Sequence, residues 1–272
     1  MDNIFLFENK YIDLDDFSTV QFKIILDDLN RFLNVPRRKR ISQERSRGRS
    51  LIEPAMFESY KHWDNPWAIS NAGLRKGMKI LDCGSGRGVL QFYLASKGLD
   101  VYSIDVSHNR SKLFKKIQRF FGRMGITYSI DPYRVHKKLN KKYHVNVKFK
   151  HESAEAISFP DNFFDRIFCI SVIEHMEDET IANSMKEMER VLKPGGLLLL
   201  TFDYHPVEDT IIGFTERDFR EKVLGKSGLV IANNEPDFTV DNWKSHIRDI
   251  NTFFRKKNPN TSYGVVLEKN EY

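Results

Sequence analysis

Short apolar runs and segments with helical spacing alternate along the chain from residue 79 to residue 268. The strand-like runs cover 79–83, 101–106, 147–151, 164–172, 196–202, 228–232 and 263–268. Helix-like segments separate most of them and cover 88–97, 107–123, 178–192 and 215–227. Strands that alternate with helices predict an α/β fold with a doubly wound parallel sheet, in which a ligand binds at the carboxyl ends of the strands. The run 164–172 is almost continuously apolar, as expected for a central strand buried on both faces.

The first 76 residues follow a different pattern. Residues 17–35 place apolar side chains at helical spacing, and residues 57–74 form an aromatic-rich segment that Pro66 interrupts. We expect an N-terminal helical extension over 1–76, with a basic linker at 36–50, before a ligand-binding domain over 77–272. Residues 126–146 are longer than a connection in such a sheet requires, and we interpret them as an inserted lid or binding element.

Charge favours an anionic partner only weakly. The chain has a net charge of +6 and a pI near 9.1, and seven of its basic residues lie between Arg37 and Arg49. Such a run is usually a solvated linker; the alternative is a clamp for the phosphates of a nucleic acid or of a nucleotide-linked substrate. An apolar content of 40% is enough for a substantial core.

The two cysteines, Cys83 and Cys169, lie in strand-like runs. Their spacing matches neither a disulfide framework nor a metal-ligand cluster, and buried reduced thiols are typical of a cytosolic protein. The N-terminus lacks the pattern of a signal peptide, and no run of 18 apolar residues is present that could span a membrane. We therefore expect a cytoplasmic protein with no membrane span.

A glycine loop follows the first strand-like run. Gly84-Ser85-Gly86-Arg87-Gly88 allows the backbone to turn sharply and to approach a cofactor closely. The third glycine, Gly88, comes one position earlier than in the dinucleotide-binding fingerprint, where Val89 stands here. Asp82, just before the loop, would repel a pyrophosphate but would attract a cationic cofactor. A cofactor that carries positive charge is therefore favoured over a nicotinamide dinucleotide.

Asp105 ends the second strand-like run, 17 residues after Gly88. At this position a carboxylate can accept hydrogen bonds from both ribose hydroxyls of an adenosine. The alternative is an N-cap of the next helix, which Ser107 could provide equally well. In the context of the glycine loop, we favour the ribose role.

Three segments resemble class I S-adenosylmethionine-dependent methyltransferases, in the small-molecule, methyltransferase-11-like subgroup. They read ILDCGSGRG (80–88), SAEAISFPDNFFDRIFCISVIEHM (153–176) and MKEMERVLKPGGLLLLTF (185–202), in the family's order and spacing. The resemblance implies a Rossmann-like seven-stranded sheet, mostly parallel with an antiparallel last strand. It also implies S-adenosyl-L-methionine as the cofactor, S-adenosyl-L-homocysteine as its product, and a small-molecule acceptor. The positive net charge favours an anionic acceptor weakly.

The resemblance also assigns residues to the cofactor. Gly84, Ser85 and Gly86 would lie under it next to Asp82, and Asp105 and Val106 would contact the ribose and adenine. Ser153, Ala154 and Glu155 would border the adenine; most family members have Asp where Ser153 stands, so this contact is expected to be weaker. Backbone groups near the methionine part would come from Ile170 and Ser171.

Methyl transfer depends mainly on alignment of the acceptor, and a base assists when the acceptor is a hydroxyl. His175, just past the fourth strand-like run, is the first candidate base, and His205 is the second. In the quinone-pathway O-methyltransferases that this chain resembles, the stretch reads Glu-x-x-Glu-His and can hold a divalent metal. Because Ser171 replaces the first Glu, we predict no metal. The alternative is that Glu174 and His175 only orient the following helix.

Three aromatic residues in the N-terminal extension, Tyr60, Trp63 and Trp67, are candidates for a cap over the cofactor or acceptor. Packing of the two tryptophans against the sheet is an equal alternative.

The sequence predicts methyl transfer to a small molecule, with a hydroxyl oxygen as the expected acceptor atom. A nucleic-acid methyltransferase is the main alternative, which the basic linker and the lysine-rich insertion favour. Against it, Asp131-Pro132-Tyr133 does not follow the fourth strand-like run, and no nucleic-acid-binding module is recognisable. A non-catalytic protein that binds S-adenosylmethionine is the second alternative.

Overall fold

The structure is a computed structural model that describes residues 7–33, 61–86, 88–106, 132–206, 213–254 and 259–271. Three features predicted from the sequence lie outside the described residues: the helix at 107–123, the basic linker at 36–50 and the cap residue Tyr60. The first part of the predicted insertion, 126–131, lies outside them as well.

A single mixed sheet forms the centre of the fold. Its eight strands in the described part of the chain are β1 Lys10–Tyr11, β2 Lys79–Cys83, β3 Asp100–Ile104, β4 Lys148–Lys150, β5 Phe164–Ile170, β6 Leu192–Tyr204, β7 Val230–Ile231 and β8 Thr261–Glu268. Strands run in the order β4, β3, β2, β5, β6, β8, and the first five of these are parallel. β8 is antiparallel to β6, and both β1 and β7 pair with β8.

The predicted α/β sheet with an antiparallel last strand is confirmed. The seven predicted strands are present, and β1 of the N-terminal extension adds an eighth. Six of the seven residues of β5 are buried, as predicted for a central parallel strand. The carboxyl ends of β2, β3, β5 and β6 therefore lie along one edge of the sheet, which we call the carboxyl edge.

Helices cover the sheet. They are α1 Val20–Phe32, α2 Lys61–Asn71, α3 Leu90–Ser96, α4 Pro132–Tyr143, α5 Asp178–Val191, α6 Glu216–Asp218 and α7 Trp243–Phe254. α6 continues into a π-helical turn at Phe219–Val223 and a 3-10 turn at Leu224–Lys226, so the single helix predicted at 215–227 is a composite. A capping box between Thr215 and Asp218 starts this composite.

β6 begins earlier than the apolar pattern predicts. The apolar pattern predicts the strand at 196–202, after Pro194 and Gly195, but the strand already begins at Leu192. Leu192 pairs with Phe164 of β5, and the Gly195 backbone N–H donates to the Lys269 carbonyl oxygen at 2.8 Å. Gly195 has φ +67°, a conformation that glycine adopts without steric cost. The glycine turn is thus an irregularity within the strand.

The N-terminal elements share a core with the sheet. Trp63 and Trp67 of α2 are fully buried, and their rings stack with centroids 5.6 Å apart. Each indole N–H has a partner in the N-terminal segment: Trp63 donates to Asp16 at 2.7 Å, and Trp67 donates to the Glu8 carbonyl at 2.9 Å. Trp67 also lies against the backbone of β8, where a Cβ on Gly264 would come within 2.7 Å of its ring. The division at residue 76 stays a prediction.

α4 occupies the described part of the predicted insertion. Val135 and Leu139 point into the core, and the His136 ring stacks on Phe149 at 4.0 Å. The opposite face carries five exposed basic side chains: Arg134, Lys137, Lys138, Lys141 and Lys142. Whether this element acts as a lid stays a prediction.

Cys83 and Cys169 are free and fully buried on the neighbouring strands β2 and β5. A hydrogen bond with the Cys83 thiol, together with burial, raises the pKa of Cys169, so this thiol stays protonated. Among the helices of the described segments, none is long and apolar enough to cross a membrane. The expected cytoplasmic location stays a prediction.

Candidate active site

The glycine loop turns sharply at the carboxyl edge. Gly84 and Gly86 have φ +74° and +54°, in the left-handed region that favours glycine. The backbone N–H groups of Gly84 and Ser85 donate to the Ile104 carbonyl oxygen at 2.9 and 3.2 Å, which ties the loop to the end of β3. A Cβ on Gly84 would lie 2.5 Å from a methyl carbon of Val172, so no side chain fits there. The loop is therefore held against the ends of both β3 and β5.

Asp105 holds the loop from the side of β3. Its carboxylate accepts a hydrogen bond from the Gly86 backbone N–H at 2.8 Å, across 19 positions of sequence. The residue is half-buried, and Val106 beside it is 44% exposed, so this end of the strand opens to solvent. Asp82 is almost fully buried at the end of β2. Two carboxylates thus flank the loop, which gives this part of the edge a negative potential.

Two buried polar side chains at the loop have no hydrogen-bond partner among the described residues. They are the hydroxyl of Ser85 and the amide of Gln91, in the first turn of α3. The Gln91 amide oxygen would be 3.7 Å from a Cβ on Gly88, so the amide lies directly behind the loop. Buried polar groups are normally satisfied, and such exceptions indicate a missing ligand or water. Sequence reasoning missed Gln91 because a single Gln in an amphipathic helix carries no motif.

The loop that carries Ser153, Ala154 and Glu155 follows β4. The Ser153 hydroxyl accepts from the Glu155 backbone N–H at 3.3 Å and donates to the Glu155 carboxylate at 3.1 Å, forming a local turn. α5 fixes the rest of this loop, because Arg190 donates to the carbonyl oxygens of Ile157 and Phe159 at 2.7 and 2.9 Å.

Glu187 of α5 completes this attachment. Its carboxylate accepts from the Ile157 backbone N–H at 2.8 Å, and the hydrogen bond from Arg190 lowers the pKa of Glu187. The adenine-binding role predicted for residues 153–155 stays a prediction.

A second turn at the carboxyl edge follows β5. Ile170 is buried, and Ser171 is a non-glycine residue with φ +51°, a backbone conformation that costs about 1–3 kcal/mol. The Ser171 backbone N–H donates to the Thr201 carbonyl at 2.9 Å, and its hydroxyl donates to Asp64 of α2 at 3.2 Å. Sequence reasoning did not single out Asp64, because it lies 107 positions from Ser171.

The two candidate bases lie at neighbouring points of this edge. His175 ends a 3-10 turn over Ile173–His175, and its side chain is 59% exposed. Glu174 is turned inward: its side chain is fully buried, and it accepts from the Asp203 backbone N–H at 3.1 Å. His205 is half-buried at the end of β6, with its ring 5.1 Å from that of Trp243. Glu174 thus joins the turn after β5 to the end of β6.

Trp63 and Trp67 face the core, with the packing contacts described above. A cap role for these residues stays a prediction.

Comparison with known proteins agrees with this geometry. A family model described as a methyltransferase domain matches residues 81–200, a range that contains the glycine loop, Asp105, the loop after β4 and the turn after β5. Residues 81–200 therefore form a class I S-adenosylmethionine-dependent methyltransferase domain. The family recognised from the three sequence segments is therefore confirmed.

A curated relative of this methyltransferase domain is the ubiquinone/menaquinone biosynthesis C-methyltransferase of Shewanella sediminis. It is 28% identical over 186 residues, which are 67% of this chain and 64% of the relative. The match thus spans less than two thirds of the relative's length.

Solved structures share the fold of the methyltransferase domain. An S-adenosylmethionine-dependent methyltransferase from Aquifex aeolicus aligns with TM-score 0.50 and 20% identity, over 80% of this chain and 94% of its own. The [4+2]-cyclase SpnF aligns with TM-score 0.54 and 16% identity, over 92% and 93%. Because one of these proteins is named as a cyclase, the fold alone does not define the reaction.

Substitution Gly84→Ala should disrupt the cofactor site. The new methyl group would clash with Val172 while the backbone remains at φ +74°, so we expect a loss of about 1–3 kcal/mol in unfolding free energy and weaker binding of S-adenosylhomocysteine. Gly77→Ala is the matched control, because Gly77 has φ +82° but no atom within 4 Å of the added Cβ. It should lose stability through strain alone and keep its affinity. Urea unfolding and calorimetry measure both effects, and equal behaviour of the two variants would contradict this description of the loop.

Proposed function

We propose that this protein transfers a methyl group from S-adenosyl-L-methionine to a small-molecule acceptor. The observation that carries the proposal is the hydrogen bond between the Gly86 backbone N–H and the Asp105 carboxylate at 2.8 Å. It holds the glycine loop beside a carboxylate that could bind a ribose, at the edge of the sheet where such folds bind ligands.

The residues present fit this cofactor. Gly84 lets the loop turn directly beside Val172, where no side chain would fit. The buried hydroxyl of Ser85 and the buried amide of Gln91 have no hydrogen-bond partner among the described residues, so both could bind the cofactor. Asp82 offers a buried negative charge that suits a cationic ligand. When bound, S-adenosylmethionine supplies an electrophilic methyl group on a positively charged sulfur. Asp105 would hold the ribose, residues 153–155 the adenine, and Ile170 and Ser171 the methionine part.

For the acceptor, we favour an aromatic small molecule of the quinone type. The curated relatives are named as C-methyltransferases of ubiquinone and menaquinone biosynthesis, which favours carbon over the hydroxyl oxygen that the sequence predicts. Methylation at carbon and methylation at oxygen both require a base near the acceptor. In the reduced, hydroxyl-bearing form of such a ring, removal of a proton from a ring hydroxyl would make both that oxygen and the neighbouring ring carbon nucleophilic, so one base could start either reaction. Methylation at carbon would also require loss of the proton on that carbon.

His175 is the base that we favour. It lies in the turn after β5, and its side chain is 59% exposed, so an acceptor could reach it from solvent. Glu174 holds the turn in place through the Asp203 backbone N–H at 3.1 Å. His205 remains the second candidate, because contact with Trp243 limits its access.

RNA is the alternative acceptor. The exposed face of α4 supports it, since five basic side chains point outward and the helix contains no acidic residue. Such a face can bind phosphates without base recognition. No large aromatic side chain is exposed in the described part of the chain, whereas RNA-modifying sites commonly stack bases on aromatic rings. We therefore place RNA second.

Titration with S-adenosylhomocysteine tests the cofactor site. Wild-type protein should bind it, and Asp105→Ala should bind at least about tenfold more weakly, because a hydrogen bond to a charged group contributes about 1.5–3 kcal/mol. Asp100→Ala is the matched control: it removes a carboxylate from the opposite end of β3, where Asp100 pairs with Lys148. It should leave the affinity unchanged. Absence of binding by wild-type protein would disprove the proposed function.

His175→Ala should lower turnover about 10²- to 10⁴-fold, the range typical of a general base, while S-adenosylhomocysteine affinity changes little. The assay is transfer of a labelled methyl group to a metabolite pool and, separately, to bulk RNA, with mass spectrometry to assign the methylated atom. His144→Asn is the control, since His144 is exposed at the end of α4 with φ +54°, which Asn tolerates. Unchanged turnover in His175→Ala would remove this residue from the mechanism, and transfer only to RNA would reverse the choice of acceptor.

A further inference from the structure

A buried carboxylate of the N-terminal extension reaches the turn after β5. Asp64 lies on α2 with no exposed surface. Its Oδ1 accepts from the Ser262 hydroxyl at 2.5 Å, and its Oδ2 accepts from the Ser171 hydroxyl at 3.2 Å. A buried charge is costly unless it is hydrogen-bonded, so this arrangement requires both partners in place. Asp64 and Ser262 both lie outside residues 81–200, the range that matches the methyltransferase family model.

Ser171, which donates a hydrogen bond to Asp64, has a strained backbone. With φ +51° it occupies the left-handed region, which residues other than glycine rarely adopt. Such a conformation persists only when its surroundings fix it from several sides. Here the backbone N–H is bound by Thr201, through the carbonyl at 2.9 Å and the hydroxyl at 3.2 Å. The bond from the side chain to Asp64 is the remaining attachment.

The conformation of Ser171 determines where the next residue lies. Val172 is the side chain that packs against Gly84, close enough that a Cβ on Gly84 would be 2.5 Å from one of its methyl carbons. The glycine loop therefore rests directly on the turn that Asp64 holds. A continuous series of contacts runs from α2 through Ser171 and Val172 to the cofactor loop.

We infer that Asp64 is a positioning residue of the cofactor site. By accepting the Ser171 hydroxyl, it stabilises the left-handed turn after β5 and so fixes the position of Val172 under the glycine loop. The N-terminal extension then contributes to the active site as well as to the core. This inference rests on the proposed function only in naming the cofactor as the ligand that responds.

The test is a double-mutant cycle on Asp64 and Ser171. Asp64→Asn keeps the shape of the side chain but weakens the bond from Ser171, and it should lower S-adenosylhomocysteine affinity about tenfold. Ser171→Gly removes the hydroxyl but adopts the left-handed conformation without cost. In the Ser171→Gly background, Asp64→Asn should therefore change the affinity by no more than about twofold.

One control separates positioning from general damage to α2. Ser70→Ala removes a hydrogen bond from the Ser70 hydroxyl to the Pro66 carbonyl at 2.7 Å within α2 and leaves Asp64 and its partners intact. Ser70→Ala should lower the thermal midpoint and leave the affinity unchanged. If the role of Asp64 were purely structural, Asp64→Asn would instead lower the S-adenosylhomocysteine affinity equally with Ser and with Gly at position 171.

The outcomes are distinguishable from failure of the proposed function. If wild-type protein binds S-adenosylhomocysteine and the effects of Asp64→Asn and Ser171→Gly are additive, the positioning role is wrong. If wild-type protein does not bind it, the proposed function fails. The positioning role is then tested by urea unfolding of the four proteins of the cycle: wild type, Asp64→Asn, Ser171→Gly and the double variant. The loss of unfolding free energy caused by Asp64→Asn should then be smaller in the Ser171→Gly background, and an equal loss would overturn the positioning role.

Discussion

The close approach of two turns at the carboxyl edge is the constraint on which the site depends. Gly84 follows β2 and Val172 follows β5, and the space between them is too small for a single additional carbon atom. Since β2 and β5 are parallel neighbours, their ends must turn away in a way that avoids collision. At Gly84 the backbone is left-handed and carries no side chain, which avoids the collision. At Ser171 the backbone is also left-handed, and hydrogen bonds hold it in this conformation.

Other features of the site follow from this contact. A loop pressed against β5 presents its N–H groups to the end of β3, where Ile104 and Asp105 accept them. Asp82 precedes the glycine loop and Asp105 accepts a hydrogen bond from it, so two carboxylates lie near this loop. This environment suits a nucleoside with a positive charge. The acceptor side is built separately, from the turn at Ile173–His175 and the end of β6, which Glu174 connects.

Much of this could be predicted from the sequence, because its signals are local. Buried parallel strands give apolar runs, and a glycine loop with flanking acids has a recognisable spacing, so the sheet, the loop and Asp105 were predictable. The bonds of Asp64 to Ser171 and Ser262 were not, since they join residues 107 and 198 positions apart. Nor did β1, two residues long, or the early start of β6 carry a periodic signal; both depend on pairing with a distant strand.

The most direct measurement is a crystal structure of the protein with S-adenosylhomocysteine bound. We expect the ribose hydroxyls within hydrogen-bonding distance of Asp105, the amino-acid end beside Gly84 and Gln91, and the sulfur facing the turn at Ser171. Binding of the nucleoside elsewhere, or a ribose that does not touch Asp105, would contradict this expectation.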